Sequence, residues 1–155
     1  MKTILIMRHG EAGPMQANDA ARTLTPRGMT QSAAMGQWLN EHFPPQAVLA
    51  SPYVRAQQTA QGVLQHNSVS FEQTCHDIVP SGNAAVAVDY LETLISMHDT
   101  LDTWLVVAHM PIVSYLVDQL VPGEMPIFPT AAVAVIQYNP DTLKSELLQL
   151  ATPPN

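Results

Sequence analysis

Arginine is scarce in this chain, and its placement is informative. Arg8 and His9 stand directly after the apolar run Thr3-Ile4-Leu5-Ile6-Met7. Arg55 falls just beyond a second short run, Ala47–Ala50, and His109 closes a third, Trp104–Ala108, immediately before Pro111. Each of these runs reads as a buried β-strand, so two histidines and two arginines come to rest where a strand hands over to a helix. Arg22 lies in the loop after the first strand. In open α/β sheets that edge, the carboxyl ends of the strands against helix N-termini, is where ligands bind. The chemistry that suits such a cluster is phosphoryl transfer. A guanidinium presents a planar fork of donors that grips phosphate bidentately and keeps its charge. Two or three of them can hold the equatorial oxygens as charge develops. A neutral imidazole can attack phosphorus in line and form a phosphohistidine, provided a backbone carbonyl fixes the proton on its other nitrogen. Gly10, next to His9, permits the sharp turn and close backbone approach that this requires.

The elements that must carry these residues follow from pattern. Lys2–Met7 is a strand with an unbroken apolar run. Thr25-Pro26 supplies an N-cap and a proline at the first helical position. A helix runs from there to about Phe43, with Met35, Trp38 and Leu39 at core spacing, and Pro44-Pro45 ends it. Ala47–Ala50 is a second strand. Ser51-Pro52 repeats the cap-then-proline signature and opens a helix through about Gln65 that buries Ala56, Ala60, Val63 and Leu64. A weak strand is expected near Val69–Phe71, then an amphipathic helix over Asn83–His98. The strand Trp104–Ala108 and a helix from Pro111 come next, followed by two strands, Ala132–Tyr138 and Ser145–Leu150, around the turn Asn139-Pro140-Asp141. Strand–helix alternation over most of the chain predicts an α/β fold, a three-layer α/β/α sandwich with a mostly parallel central sheet.

Arg8-His9-Gly10 after an N-terminal strand resembles the signature of the histidine phosphatase superfamily, the phosphoglycerate mutase-like fold. Three further segments agree in order: Arg22-Thr23-Leu24-Thr25-Pro26-Arg27-Gly28, Ser51-Pro52-Tyr53-Val54-Arg55-Ala56-Gln57-Gln58-Thr59 and Ala108-His109-Met110-Pro111. The resemblance implies one histidine-phosphatase domain over residues 1–155, with His9 as nucleophile and Arg8, Arg55 and His109 completing a phosphate pocket. It implies no cofactor and no metal. Arg22, Asp19 and Gly10 join as substrate-contacting residues. A glutamate common among relatives has Asp77 as its counterpart by position, so Asp77 is the first candidate for general acid and Asp19, just ahead of Arg22, the other. Arg55 and His109 are only 54 positions apart, which leaves no room for the helical lid that many relatives insert there. The chain therefore looks like the small bacterial phosphohistidine phosphatases of the SixA type, whose substrate is a phosphorylated histidine on a partner phosphotransfer protein. An open pocket suits a histidine protruding from a folded domain, whereas a lidded one suits small metabolites.

Composition bounds the alternatives. The chain has 155 residues, 46% of them hydrophobic and 12% charged, enough for a real core without staples. A lone cysteine, Cys75, excludes an internal disulfide framework and a four-cysteine zinc site. Six basic against thirteen acidic residues give a net charge of −7, which argues against nucleic acid and anionic membranes as partners. No apolar run is long enough for a secretory core or a spanning helix, so a soluble cytoplasmic monomer is expected. Cys75-His76-Asp77 has the residue types of a hydrolase triad, but side chains adjacent in sequence diverge. His42, His66, His76 and His98 show no paired metal spacing. Two other functions remain open at this level: a phosphomonoesterase acting on a small metabolite, and a phosphate-binding module without turnover.

Overall fold

The computed structural model describes residues 1–154. In chain order it contains β1 (Lys2–Arg8), α1 (Pro26–His42), β2 (Ala47–Ala50), α2 (Val54–Leu64), β3 (Phe71–Thr74), α3 (Ala84–Met97), β4 (Thr103–Ala108), α4 (Ile112–Leu120), β5 (Val133–Asn139) and β6 (Lys144–Ala151). Single 3₁₀ turns at Asp19–Ala21 and His76–Ile78 interrupt the loops after β1 and β3. The six strands form one sheet in the order β3-β2-β4-β1-β5-β6. Neighbours β3, β2, β4 and β1 pair in parallel, while β5 runs antiparallel to β1 and β6 antiparallel to β5.

The unbroken apolar run in β1 is explained by cover on both faces. Leu5 and Met7 face α1 and α2, where they meet Met35, Leu39, Ala56, Ala60 and Val63. Ile4 and Ile6 face α3 and α4, among Val88, Leu91, Ile95, Val113 and Leu116. The result is the expected α/β/α sandwich. Between Arg55 and His109 the chain contains only the rest of α2, β3, a 3₁₀ turn, α3 and β4, so no helical lid is inserted. No helix among the described residues is long and apolar enough to cross a membrane.

Local signals hold at most element ends. Thr25 caps α1 by accepting the Gly28 N–H at 3.0 Å, with Pro26 as the first helical residue. Asn83 caps α3 through the Val86 N–H at 3.1 Å. Asn139 Oδ1 accepts the Asp141 and Thr142 N–H groups and closes the β5–β6 turn. Trp38 and Leu64, expected in the core, are only partly buried at its margin. Two elements differ from expectation. The third strand lies at Phe71–Thr74 rather than near Val69, because an edge strand with alternating burial carries little apolar signal. The second helix starts at Val54 with Tyr53 as its N-cap residue, not at Ser51-Pro52. Ser51 spends its hydroxyl elsewhere.

The topology creates the crevice. From β1 the chain leaves through α1 toward the β3 edge, and from neighbouring β4 it leaves through α4 on the other face toward β5. Two adjacent parallel strands whose connections depart in opposite directions define a switch point, and the space beyond their carboxyl ends is left open.

Candidate active site

β1 and β4 pair in register with Arg8 opposite Ala108, so the residues that follow, His9 and His109, emerge side by side. Their ring centroids are 5.1 Å apart. β2 ends one strand further on, where the Ser51 N–H bonds the Val107 carbonyl at 3.0 Å. Two histidines a hundred positions apart thus meet because two strands share a ladder.

His9 is held at both ring nitrogens. Nδ1 lies 2.6 Å from the Gly10 carbonyl oxygen, which can only accept, so Nδ1 carries the proton. Arg55 Nε then donates to the lone pair on Nε2 at 3.3 Å. Gly10 must be glycine: a Cβ there would lie 2.6 Å from the Gly28 carbonyl oxygen. Its N–H is fixed by Thr59 Oγ1 at 3.0 Å, and Thr59, one turn beyond Arg55 on α2, donates back to the Arg55 carbonyl at 2.8 Å.

Arg55 is 4% exposed, and its remaining donors go to Asp19: one to the backbone carbonyl at 2.7 Å and one to Oδ2 at 3.1 Å. Asp19 Oδ1 accepts from Arg22 at 3.0 Å, and Arg22 also donates twice to the Gly13 carbonyl, at 3.1 and 2.8 Å. Arg8 donates to the Phe128 carbonyl at 2.7 Å, while its Nε is buried without a partner. The Tyr53 ring packs edge-on against His109 at 5.0 Å and lies 5.1 Å from the Arg55 guanidinium carbon. His109 Nε2 is 2.8 Å from Ser51 Oγ, and His109 Nδ1, like Arg8 Nε, has no partner. Two of the three orphaned buried polar atoms among the described residues, Arg8 Nε and His109 Nδ1, therefore belong to the neighbours of His9. Both are satisfied if an oxyanion sits among them.

Burial and surrounding cations set the protonation states. Burial lowers His9 to about 4, opposed by the Gly10 carbonyl and reinforced by Arg55, Arg8 and Arg22. Burial likewise lowers His109 to about 3, with His9 and Arg55 adding to the effect and Asp19 opposing it. Hydrogen bonds from Arg22 and then Arg55 hold the Asp19 carboxyl below its ordinary value. Both imidazoles are thus neutral at ordinary pH. An unfolded chain protonates these histidines as pH falls through 6.5, while the folded chain resists until about 4 and about 3. The unfolded state takes up more protons in that window, so stability is expected to fall from pH 6.5 down to about 3, the His9 contribution being lost by about 4. NMR titration of the His9 ring should show a midpoint near 4; a midpoint at the ordinary 6.5 would contradict the burial argument.

The structure brings together His9, Gly10, Arg8, Arg22, Arg55, His109 and Asp19. Asp77 is placed differently. It sits in the 3₁₀ turn after β3, on the same sheet edge, and its side chain makes no hydrogen bond or ion pair among the described residues. The carboxylate against the guanidiniums is Asp19. Sequence reasoning missed Ser51, Tyr53, Thr59 and the Phe128 carbonyl as parts of the site. Thr59 alone had a local signal, since its i+4 spacing from Arg55 places both on one helix face. Among the described residues no group of three His, Cys, Asp or Glu side chains is arranged to hold a metal ion.

A switch-point crevice holding a backbone-pinned neutral histidine among arginines defines a phosphoryl-transfer hydrolase, and the family model for the histidine phosphatase superfamily (branch 1) matches residues 4–75. The chain belongs to that superfamily. It is 38% identical to the phosphohistidine phosphatase SixA homolog of Haemophilus influenzae, over 94% of this chain and 92% of the relative. It is 36% identical to phosphohistidine phosphatase SixA of Escherichia coli, over 86% of this chain and 83% of that one. Among solved structures it superposes on the protein histidine phosphatase SixA complexed with tungstate, with TM-score 0.89 and 32% identity over 97% of both chains.

Proposed function

We propose that the protein removes the phosphoryl group from a phosphorylated histidine on a partner phosphotransfer protein, through a phosphohistidine formed on its own His9. One observation carries this reading: His9 is a neutral imidazole whose Nδ1–H is fixed by the Gly10 carbonyl and whose Nε2 lone pair lies against Arg55. That lone pair attacks phosphorus in line. The bond from phosphorus to the substrate nitrogen breaks, its electrons return to the substrate imidazole, and that ring leaves carrying its proton. Water then attacks the phosphohistidine, the bond to Nε2 breaks, and inorganic phosphate departs with His9 restored to its neutral form.

Arg8, Arg55 and His109 hold the equatorial oxygens, and the orphaned Arg8 Nε and His109 Nδ1 are the donors free to do so. Asp19 gives up its contacts with Arg55 when the phosphoryl group arrives and stays tethered to Arg22. Gly10 supplies the carbonyl and the close approach. Asp77, in the 3₁₀ turn after β3, is proposed as a proton donor for poorer leaving groups only; a protonated phosphoimidazole departs without strong acid help. The absence of a helical lid suits a protein substrate, and relatives of similar length bear the name phosphohistidine phosphatase.

The test is release of inorganic phosphate from a histidine-phosphorylated phosphotransfer domain in excess chelator, beside a panel of sugar phosphates. Fast release from the protein and little from the sugars is expected. Full retention of the label on the domain would refute the reading.

A further inference from the structure

Ser51 ends β2 and is 0% exposed, as is His109. The Ser51 hydroxyl lies 2.8 Å from His109 Nε2 and accepts the Tyr53 backbone N–H at 3.2 Å. Which way the proton lies between Ser51 and His109 can be settled by counting partners. A hydroxyl has one proton to donate, and a neutral imidazole has one N–H and one lone pair. If Ser51 donates to Nε2, the hydroxyl proton and the imidazole lone pair are both used, and only Nδ1–H awaits an acceptor. If instead Nε2–H donates to Ser51, the hydroxyl proton and the Nδ1 lone pair are both left buried without partners. Each such orphan is costly, so the arrangement with one prevails over that with two. The surviving orphan is a donor, and a phosphoryl group offers acceptors only.

We infer that Ser51 is a positioning residue: its hydroxyl fixes His109 as the Nδ1–H tautomer, so that a buried N–H is presented to a phosphoryl oxygen. The two histidines then form a complementary pair. Both carry the proton on Nδ1, but His9 has that proton engaged by the Gly10 carbonyl and offers a lone pair to phosphorus. His109 has its lone pair engaged by Ser51 and offers the proton. A hydroxyl is required at Ser51 because an accepting carbonyl there would impose the opposite tautomer and aim a lone pair at an anion. The inference rests on the phosphatase reading for what His109 donates to, while the tautomer itself is a property of the resting protein.

Two readouts test it. In wild-type protein without substrate, ¹⁵N-detected correlation of the His109 ring should show Nδ1 protonated and Nε2 bare. In Ser51→Ala the Nε2–H form should appear, with kcat on the phosphorylated domain down about 10- to 100-fold. Ser51→Thr, which keeps the hydroxyl, should restore both the tautomer and the rate. A protonated Nε2 in the wild type would overturn the inference, as would an alanine variant that keeps both the Nδ1–H form and the wild-type kcat. If Ser51→Ala does not fold, the wild-type spectrum and Ser51→Cys, with its weaker donor, decide the matter on the same two readouts. Failure of the wild type to act on phosphohistidine would count against the phosphatase reading and leave the spectra unchanged.

Discussion

Arg55→Ala is expected to lower turnover by about 10³-fold or more and to weaken the binding of phosphate-like anions along with it. The size follows from how many jobs the guanidinium does at once. Its Nε lies against Nε2 of His9, its other two nitrogens hold Asp19, and its plane rests near Tyr53. Because it is 4% exposed, its charge acts on an incoming oxyanion with little screening by water. Arg55→Lys should recover little of the loss. An ammonium lacks the planar fork needed to serve His9 and Asp19 from one position. Removing the cation also removes one of the influences that lower His9, so the His9 titration midpoint should rise from about 4. Steady-state rates, tungstate titration and a ring titration together check this. An alanine variant with near wild-type turnover would show that the guanidinium does not meet the transferring group.

How far the sequence alone reached depended on whether a feature was local. Thr25-Pro26 was read correctly because the cap and the amide it satisfies lie within one turn. Ser51-Pro52 carries the same two letters in the same order and was read as the same device. There the hydroxyl is bonded to His109, 58 positions away, and the helix starts two residues later than its first proline suggests. No window around Ser51 contains that partner. The carboxylates show the same division. Asp77 stands out in the sequence only as the positional counterpart of a glutamate common among relatives, whereas the pairing of Asp19 with Arg55 spans 36 positions and depends on the 3₁₀ turn folding back over α2. Strand–helix alternation announced a mostly parallel sheet, and the two-strand turn at Asn139 announced the antiparallel pair. The strand order, which sets His9 beside His109, is a tertiary fact that hydrophobic period does not encode.

His9→Ala is expected to produce the opposite pattern to Arg55→Ala: catalysis lost, anion binding kept. Without the imidazole no phosphoryl-enzyme bond can form, so brief exposure to the labelled domain should leave no label on the variant. Turnover should fall by about 10⁴-fold or more. The groups proposed to hold oxygens remain, because Arg8 is anchored by the Phe128 carbonyl, His109 by Ser51 and Arg55 by Asp19. None of these anchors passes through the His9 ring. Tungstate or phosphate should therefore bind within about tenfold of the wild type, since the main electrostatic contacts survive. The two variants separate the proposed functions of a pocket whose parts are crowded within a few ångströms: His9 is proposed to react with phosphorus and Arg55 to hold its oxygens. Label trapped on the alanine variant would place the nucleophile on another residue of the pocket. Loss of anion binding together with turnover would instead mean that the His9 ring organises the cradle. The pinning of Nδ1 by Gly10 would then serve shape before reactivity.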